Sequence, residues 1–275
     1  MVNLPSIAII GSGSMGGAIL SGLLAPEVSV AGGVRVTNRT AAKAKALEGP
    51  AVVSYALEDT PDANAQALKG ARVVLIGVKP HMVPDLLRSI SADLEPDAIV
   101  VSVAAGVTIA TMEALVPVPV IRAMPNTPAV VGLAVTGLAA GSRASAEDLA
   151  LAHAVFATVG SVLEVPESKI DALSTISGSG PAYVFFLIEQ LTRTAIDLGF
   201  APEQAAVMVN GTFRGASELL AASDGVDPAE LRRRVTSPGG TTERAIAVLT
   251  DADLKTTFDA ATQAALARAA ELAAG

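Results

Sequence analysis

The chain has 275 residues, 51% of them hydrophobic and 17% charged, with a formal net charge of −8 at pH 7. That length admits about two domains with sizeable cores, and that composition excludes a disordered chain. The absence of cysteine excludes disulfides, Cys-ligated zinc, Fe–S clusters and a thiol nucleophile, while 3% aromatics, no Trp and an acidic balance argue against a nucleic-acid partner.

Met1 to Ser6 has no basic region and no long apolar core, so no signal peptide is expected. Ile7 to Ile10 is a short apolar run that ends in glycine, Ala18 to Leu24 reads as a helix, and Val34 to Thr37 reads as a second strand. Val73 to Val78 and Ile99 to Val103 are continuous β-branched runs, as expected for strands buried on both faces of a parallel sheet. Val118 to Arg122, Ala134 to Leu138 and Val162 to Val165 are further strand candidates, with helical stretches such as Val83 to Ile90 and Ala146 to Thr158 between strands. The uncharged stretch Ala123 to Ser142 holds Pro125, Asn126, Pro128 and three glycines, so it is not a membrane helix. His81 and His153 lie far apart and outside any ligand spacing, so no metal site is expected. The alternation argues an α/β fold with an N-terminal Rossmann-type, doubly wound sheet.

After Pro166 the pattern turns all-helical: Ile170 to Phe200, Pro202 to Ala222, Pro228 to Val235, Thr242 to Leu249 and Ala252 to Ala273, the last with Asp251 as N-cap. The expected division is therefore 1–165 for the dinucleotide-binding domain and 166–275 for an all-helical domain. Ala172 to Ile188 carries no charge, and a helix apolar on more than one side needs more cover than so small a domain offers. Another subunit would supply it; packing against the chain's own sheet domain is the alternative. A cytoplasmic protein with no membrane partner is expected.

Gly11-Ser12-Gly13-Ser14-Met15-Gly16 is a G-x-G-x-x-G run that follows a strand and opens a helix, the context a dinucleotide fingerprint requires. The glycines permit a tight turn and close approach of a pyrophosphate, and the helix start offers free N–H groups. Where an NAD site usually carries Asp or Glu, this chain has Asn38-Arg39-Thr40, which suits the extra phosphate of NADP. NADPH is the expected cofactor, with NADH as the alternative. Val78, Lys79 and Pro80 end the next strand, where Pro80 can pack on the cofactor, and Ala104-Ala105-Gly106 forms another close-approach point.

Three further segments are rich in Gly, Pro and Thr: Ala123 to Ala129 (AMPNTPA), Gly178 to Tyr183 (GSGPAY) and Thr236 to Thr242 (TSPGGTT). In the last, Gly239 and Gly240 lead straight into a helix whose first N–H groups lack internal partners, which makes a carboxylate site helped by the hydroxyls of Ser237, Thr241 and Thr242. Plain capping by Thr241 is the simpler alternative.

With GSGSMGGAI, VKP, SVAAGV, AMPNTPA, GSGPAY and VTSPGGTTERAI in this order, essentially the whole chain resembles the pyrroline-5-carboxylate reductase family. The resemblance implies reduction of 1-pyrroline-5-carboxylate to L-proline with NADPH or NADH. It also implies a substrate site between the sheet domain of one subunit and the helical domain of its dimer partner, with a ring of dimers as further assembly. By position, Ser237 and the backbone of Gly239, Gly240 and Thr241 hold the carboxylate, and Thr242, the catalytic assignment, hydrogen-bonds the ring nitrogen. Pro80 and Met124, Pro125 and Asn126 line the nicotinamide side. An acidic residue before the SPGG loop falls on Asp224. Hydride addition to a protonated imine needs placement more than a strong acid, which agrees with motifs that contain no His or Lys general acid. A 3-hydroxyacid dehydrogenase of similar plan would need a lysine in the first long helix of the helical domain, and Gly178 to Thr194 has none. A cofactor-binding regulatory protein without turnover would have no use for SPGGTT and GSGPAY together.

Overall fold

The computed structural model describes residues 1–274. Ten strands run β1 (Val2–Leu4), β2 (Ile7–Ile10), β3 (Val28–Val30), β4 (Val34–Asn38), β5 (Val52–Ala56), β6 (Val73–Ile76), β7 (Ile99–Ser102), β8 (Val120–Met124), β9 (Ala134–Ala140) and β10 (Gly160–Glu164). Twelve α-helices accompany them: α1 (Ser14–Leu23), α2 (Ala41–Lys45), α3 (Ala63–Leu68), α4 (Val83–Ile90), α5 (Ile109–Glu113), α6 (Ala146–Ala157), α7 (Ile170–Leu173), α8 (Gly180–Asp197), α9 (Pro202–Ala221), α10 (Pro228–Arg234), α11 (Thr241–Asp251) and α12 (Leu254–Ala274).

Eight strands form one sheet in the order β10-β9-β8-β7-β6-β2-β4-β5, while β1 and β3 pair separately. Every residue of β2, β6, β7 and β8 is buried, because helices cover both faces of the sheet. On one face Ile19, Leu20 and Leu23 of α1 and Ala152, Val155 and Phe156 of α6 pack on Ile7, Ile9, Val101 and Ile121. On the other, Leu68, Leu87, Ile90 and Met112 pack on Ala8, Ile10, Val74 and Val100. α6 is further fixed by a partly buried ion pair, Arg72 Nη2 donating to Asp148 Oδ1 at 2.6 Å. Burial acts to raise the Asp148 pKa. The Arg72 hydrogen bond and the Ser145 N–H and hydroxyl outweigh it, so the net displacement is downward.

The chain leaves β2 toward β4 and returns to its other side through β6, so a topological switch point lies between β2 and β6. The sheet departs from the expected pattern at one edge. β8 and β9 are antiparallel and β10 runs with β9, because a short turn over 127–131 joins β8 to β9 where a parallel step needs a helical crossover. β1, β3, β5, α2, α3 and α5 are additional to the sequence reading, all of six residues or fewer.

Two compact units emerge: Met1–Ser179 with the C-terminal stretch from Ala265, and Gly180–Ala264. In the first, the helix read over Ile170 to Phe200 is not uniform: α7 passes into a π-helical turn over Ser174–Gly178 before α8 begins at Gly180. In the second, α8 packs along α9, and the rings of Tyr183 and Phe258 meet at 6.1 Å between centroids. Asp251 does not cap the last helix. It is the final residue of α11, and Asp253 takes the capping place, its carboxylate accepting from the N–H and hydroxyl of Thr256. Among its described apolar residues only Ala195, Ala205 and Val209 are buried, whereas Phe185 is 66% and Phe186 60% exposed. At about 25 cal/mol per Å² such aromatic surface is too costly to leave in water, so this unit is built to be covered. No described helix is long and apolar enough to cross a membrane.

Candidate active site

The loops after β2 and β6 meet at the switch point. Gly11 has φ +86°, and a Cβ there would lie 2.6 Å from Val78 Cγ1, while a Cβ on Gly77 would lie 2.5 Å from the Gly11 carbonyl oxygen. Only glycine allows the two loops to cross this closely. The turn is tied to β4, since the Gly11 and Ser12 N–H groups both donate to the Thr37 carbonyl, at 3.2 and 3.1 Å. Gly13 differs: the nearest protein atom to a Cβ there is 3.9 Å away. Its lack of a side chain therefore serves something outside the protein.

α1 starts at Ser14 with Gly13 as N-cap, no side chain caps it, and no acidic residue occupies its first turn. Its positive end is thus left for an anion. Ser12 Oγ and Asn38 Nδ2, both buried and without a protein partner, flank this end and the end of β4. Arg39 is exposed just beyond β4, and its guanidinium makes no hydrogen bond or ion pair among the described residues. Thr40 is the N-cap position of α2, whose Ala41 N–H is met by Glu58 Oε1 at 2.6 Å from the neighbouring loop. Orphaned donors, an uncapped helix start and a cradle that a Cβ would narrow fit a phosphate-rich dinucleotide.

A cavity of about 590 Å³ opens beside this crevice. Pro80, Ala105, Gly106 and Met124 line it from the strand ends, facing Asp171, Ser174, Thr175 and Ser179 from α7 and the π-helical turn. Val78 and Lys79 lead into Pro80, which opens a short 3-10 turn through Met82. Ala104 and Pro125 are buried beside the cavity without lining it. The Asn126 side chain is engaged at both ends: Nδ2 donates to the Ser177 carbonyl and Oδ1 accepts from the Val135 N–H, each at 2.9 Å. Asp171, Ser174 and Thr175 are cavity residues the sequence reading did not single out, and His81, considered there only as a metal ligand, also lines the cavity. The nearest local signal was Gly178-Ser179, since Ser179 closes that wall.

The Thr236 to Thr242 segment belongs to the second unit. Gly240 is the N-cap of α11 and no side chain caps it, so Thr241 sits inside the first turn and is not the cap. Gly239, at φ +72°, turns the chain, and the Gly240 N–H donates to the Ser237 carbonyl at 2.9 Å. Glu243 Oε2 accepts from the Gly239 N–H at 2.9 Å. Ser237, Thr241 and Thr242 are exposed, their hydroxyls around a helix start with no side-chain acceptor at its cap. Asp224 lies exposed in the turn before α10. Among the described residues there is no cluster of His, Asp or Glu that could hold a metal ion.

Comparison with known proteins yields consistent matches. A family model described as pyrroline-5-carboxylate reductase dimerisation matches residues 167–272, and one described as NADP oxidoreductase, coenzyme F420-dependent, matches residues 6–106. The chain is 38% identical over 274 residues to a pyrroline-5-carboxylate reductase of Corynebacterium melassecola, covering 98% of this chain and 99% of that one. It is 37% identical to that of Pseudomonas aeruginosa, covering 99% and 98%. The solved pyrroline-5-carboxylate reductase of Coxiella burnetii superimposes with a TM-score of 0.89 at 35% identity, covering 97% of both chains. That of Plasmodium falciparum, solved with NADP bound, has the same fold, with a TM-score of 0.81 at 23% identity over 98% of both.

Proposed function

Because the chain belongs to the pyrroline-5-carboxylate reductase family, we propose that it reduces 1-pyrroline-5-carboxylate to L-proline, the last step of proline biosynthesis. It is an NAD(P)H-dependent oxidoreductase acting on a C=N bond. The observation that carries the reading is the Gly11–Gly16 turn, with an uncapped α1 and open space at Gly13, beside a cavity that ends at Pro80 and Met124.

The bound cofactor supplies the hydride that adds to the imine carbon. The chain's own residues bind and orient. Gly11 to Gly16 cradle the pyrophosphate on the start of α1, and Asn38, Arg39 and Thr40 meet the 2′-phosphate, which favours NADPH over NADH. Pro80 and Met124 would line the nicotinamide end of the cavity, carried by the segments Val78-Lys79 and Pro125, with Ala104 packed behind them and Asn126 holding the Met124 loop. The imine nitrogen arrives protonated, so its carbon is already electrophilic and no strong acid is required. Ser237 and the Thr241 N–H orient the substrate carboxylate, with Gly239 and Gly240 shaping the turn, since the Gly240 N–H already donates to the Ser237 carbonyl. The Gly239 N–H donates to Glu243. Thr242 turns its hydroxyl to the ring nitrogen and donates to the lone pair that develops there as iminium becomes amine, a bond that strengthens during the reduction.

The functional division we adopt is 1–165 for cofactor and 166–275 for dimerisation and substrate, supported by a dimerisation model that begins at residue 167. The chain carries a dimerisation domain, and the exposed face of α8 supports a dimer in which the helical domain of one subunit completes the site of its partner. Assembly into a ring of dimers and a cytoplasmic location complete the proposal. Steady-state kinetics with NADPH and NADH, on five- and six-membered cyclic imine carboxylates, test it. Saturable turnover of the five-membered ring with preference for NADPH supports it, and no turnover of that ring with either cofactor refutes it.

A further inference from the structure

Arg122 is the one buried cation among the described residues, 2% exposed in the middle of β8. Its Nη2 donates to Asp171 Oδ1 at 2.6 Å and its Nη1 to Glu167 Oε1 at 3.3 Å. Glu167 Oε1 also accepts from the Ile109 N–H at 2.7 Å, so the network reaches α5. Burying a guanidinium is costly, and an apolar side chain would fill a sheet position at no desolvation penalty. What an ion pair supplies and an apolar contact does not is direction: a planar fork fixes where its carboxylates sit.

The fork fixes a particular segment. Asp171 lies in α7, which leads into the π-helical turn Ser174–Gly178, and such turns recur at functional sites because they release carbonyls and redirect side chains. At the far end of that turn the Ser177 carbonyl is taken by Asn126 Nδ2, four residues beyond Arg122 along the same strand and its exit loop. Between the two grips β9 offers no side chain at Gly137, which faces Met124 in register, and a Cβ there would fall 2.7 Å from Leu173 Cδ1. α7 is therefore seated directly on the sheet, and Met124 and the turn line the same cavity.

We propose that Arg122 is a positioning residue for hydride transfer: acting through Asp171, with Asn126 at the far end, it fixes the π-helical wall of the cavity against the strand that carries Met124. The proposal rests on the reductase reading above. A displacement of about 1 Å in such a wall is enough to cost roughly a hundred-fold in rate, whereas the pyrophosphate crevice is held by the loops after β2 and β6 and by Thr37, away from this grip.

The test uses the full-length protein with R122K, D171N and the double variant. Lysine keeps the charge but cannot reach two carboxylates as a fork, and asparagine keeps the shape of Asp171 without its charge. Each single change is expected to lower kcat roughly ten-fold, while NADPH affinity, titrated by fluorescence without imine, stays within about two-fold. Because one residue acts through the other, the double variant is expected to be no worse than the weaker single one. Hydrogen exchange over residues 170–179 should quicken in all three. Unchanged kcat, losses that multiply in the double variant, or NADPH affinity falling in step with kcat would overturn the proposal. Asn126→Asp is the second arm. It keeps the acceptor for Val135 and turns the donor to Ser177 into an anion, so exchange over 174–178 should quicken, and unchanged exchange there overturns the far-end grip. If the unaltered protein binds NADPH yet reduces no cyclic imine, the reductase reading fails instead, and the binding and exchange measurements still decide the grip.

Discussion

Two glycines of one loop should fail in opposite ways when each is changed to alanine. Gly11 has φ +86°, where an alanine costs about 1–2 kcal/mol, and its Cβ would stand 2.6 Å from Val78 Cγ1 and 3.2 Å from the Val78 nitrogen. Relief of such overpacking typically costs a further ~1–3 kcal/mol. A total of roughly 2–5 kcal/mol lowers the melting temperature by about 5–15 °C for a unit of this size. Gly13 has negative φ, and its Cβ would meet nothing nearer than 3.9 Å, so G13A should melt within about 1 °C of the unaltered protein. The methyl group would instead stand where the pyrophosphate approaches, and a loss of at least ~1.4 kcal/mol in cofactor binding is about ten-fold in Kd. Differential scanning fluorimetry and NADPH fluorescence titration read the two quantities separately. If G13A bound NADPH as tightly as the unaltered protein, the crevice would not be the pyrophosphate site. If G11A melted normally, the crossing of the two loops would be looser than described.

Arg39→Ala should weaken NADPH by roughly five-fold, about 1 kcal/mol for an exposed charge-assisted contact, and leave NADH nearly untouched. Equal losses in the two Michaelis constants would contradict a phosphate role. Ser237→Ala should chiefly raise KM for the imine, while Thr242→Ala should lower kcat about ten-fold if a hydrogen bond of ~1.5 kcal/mol strengthens during reduction. Thr242→Ser should recover much of that rate, and unchanged kcat in folded Thr242→Ala removes the assignment. Against the effect of burial, Arg72 and Ser145 hold the Asp148 carboxyl below the usual aspartate range, so its pairing stabilises the fold at neutral pH and the contribution is lost as pH falls through the lowered pKa. Asp148→Asn should therefore melt lower at pH 7, with the gap narrowing as acid protonates the carboxylate, and a gap that widens on acidification would contradict this. Light scattering at low micromolar concentration should find no monomer, and a fully active monomer would refute a site built by two subunits.

What was readable in the sequence was local chemistry. The Gly11–Gly16 run, the Asn38-Arg39-Thr40 triplet and the SPGGTT loop declare themselves because glycine, proline and small hydroxyl residues act within a few positions of their own backbone. The fully buried strands were equally plain, since helices on both faces demand continuous apolar runs. β5 and α2 were not: β5 reads VVSYA, with Val53 half in solvent and no continuous apolar run, and α2 spans five residues, too few to set up a period. The reversed direction of β9 depends on the turn over 127–131, which the candidate strand Ala134 to Leu138 does not encode by itself. The cavity wall was hidden for a different reason. Arg122 and Asp171 are 49 residues apart, and Asn126 and Ser177 are 51, so no window along the chain holds both partners. Even the Asp251 cap failed through a two-residue shift, because a tight turn at Asp253, with φ 45°, places that residue before α12.

This chain directs a hydride from NADPH to the imine carbon of 1-pyrroline-5-carboxylate, so proline must appear as NADPH disappears. The direct measurement is the amount of L-proline formed, by chiral chromatography, against NADPH consumed in the same reaction. One L-proline per NADPH, with formation slowed about ten-fold in Thr242→Ala and largely recovered in Thr242→Ser, is the predicted result. NADPH consumption without proline, or no consumption at saturating imine by protein that binds NADPH, would contradict it.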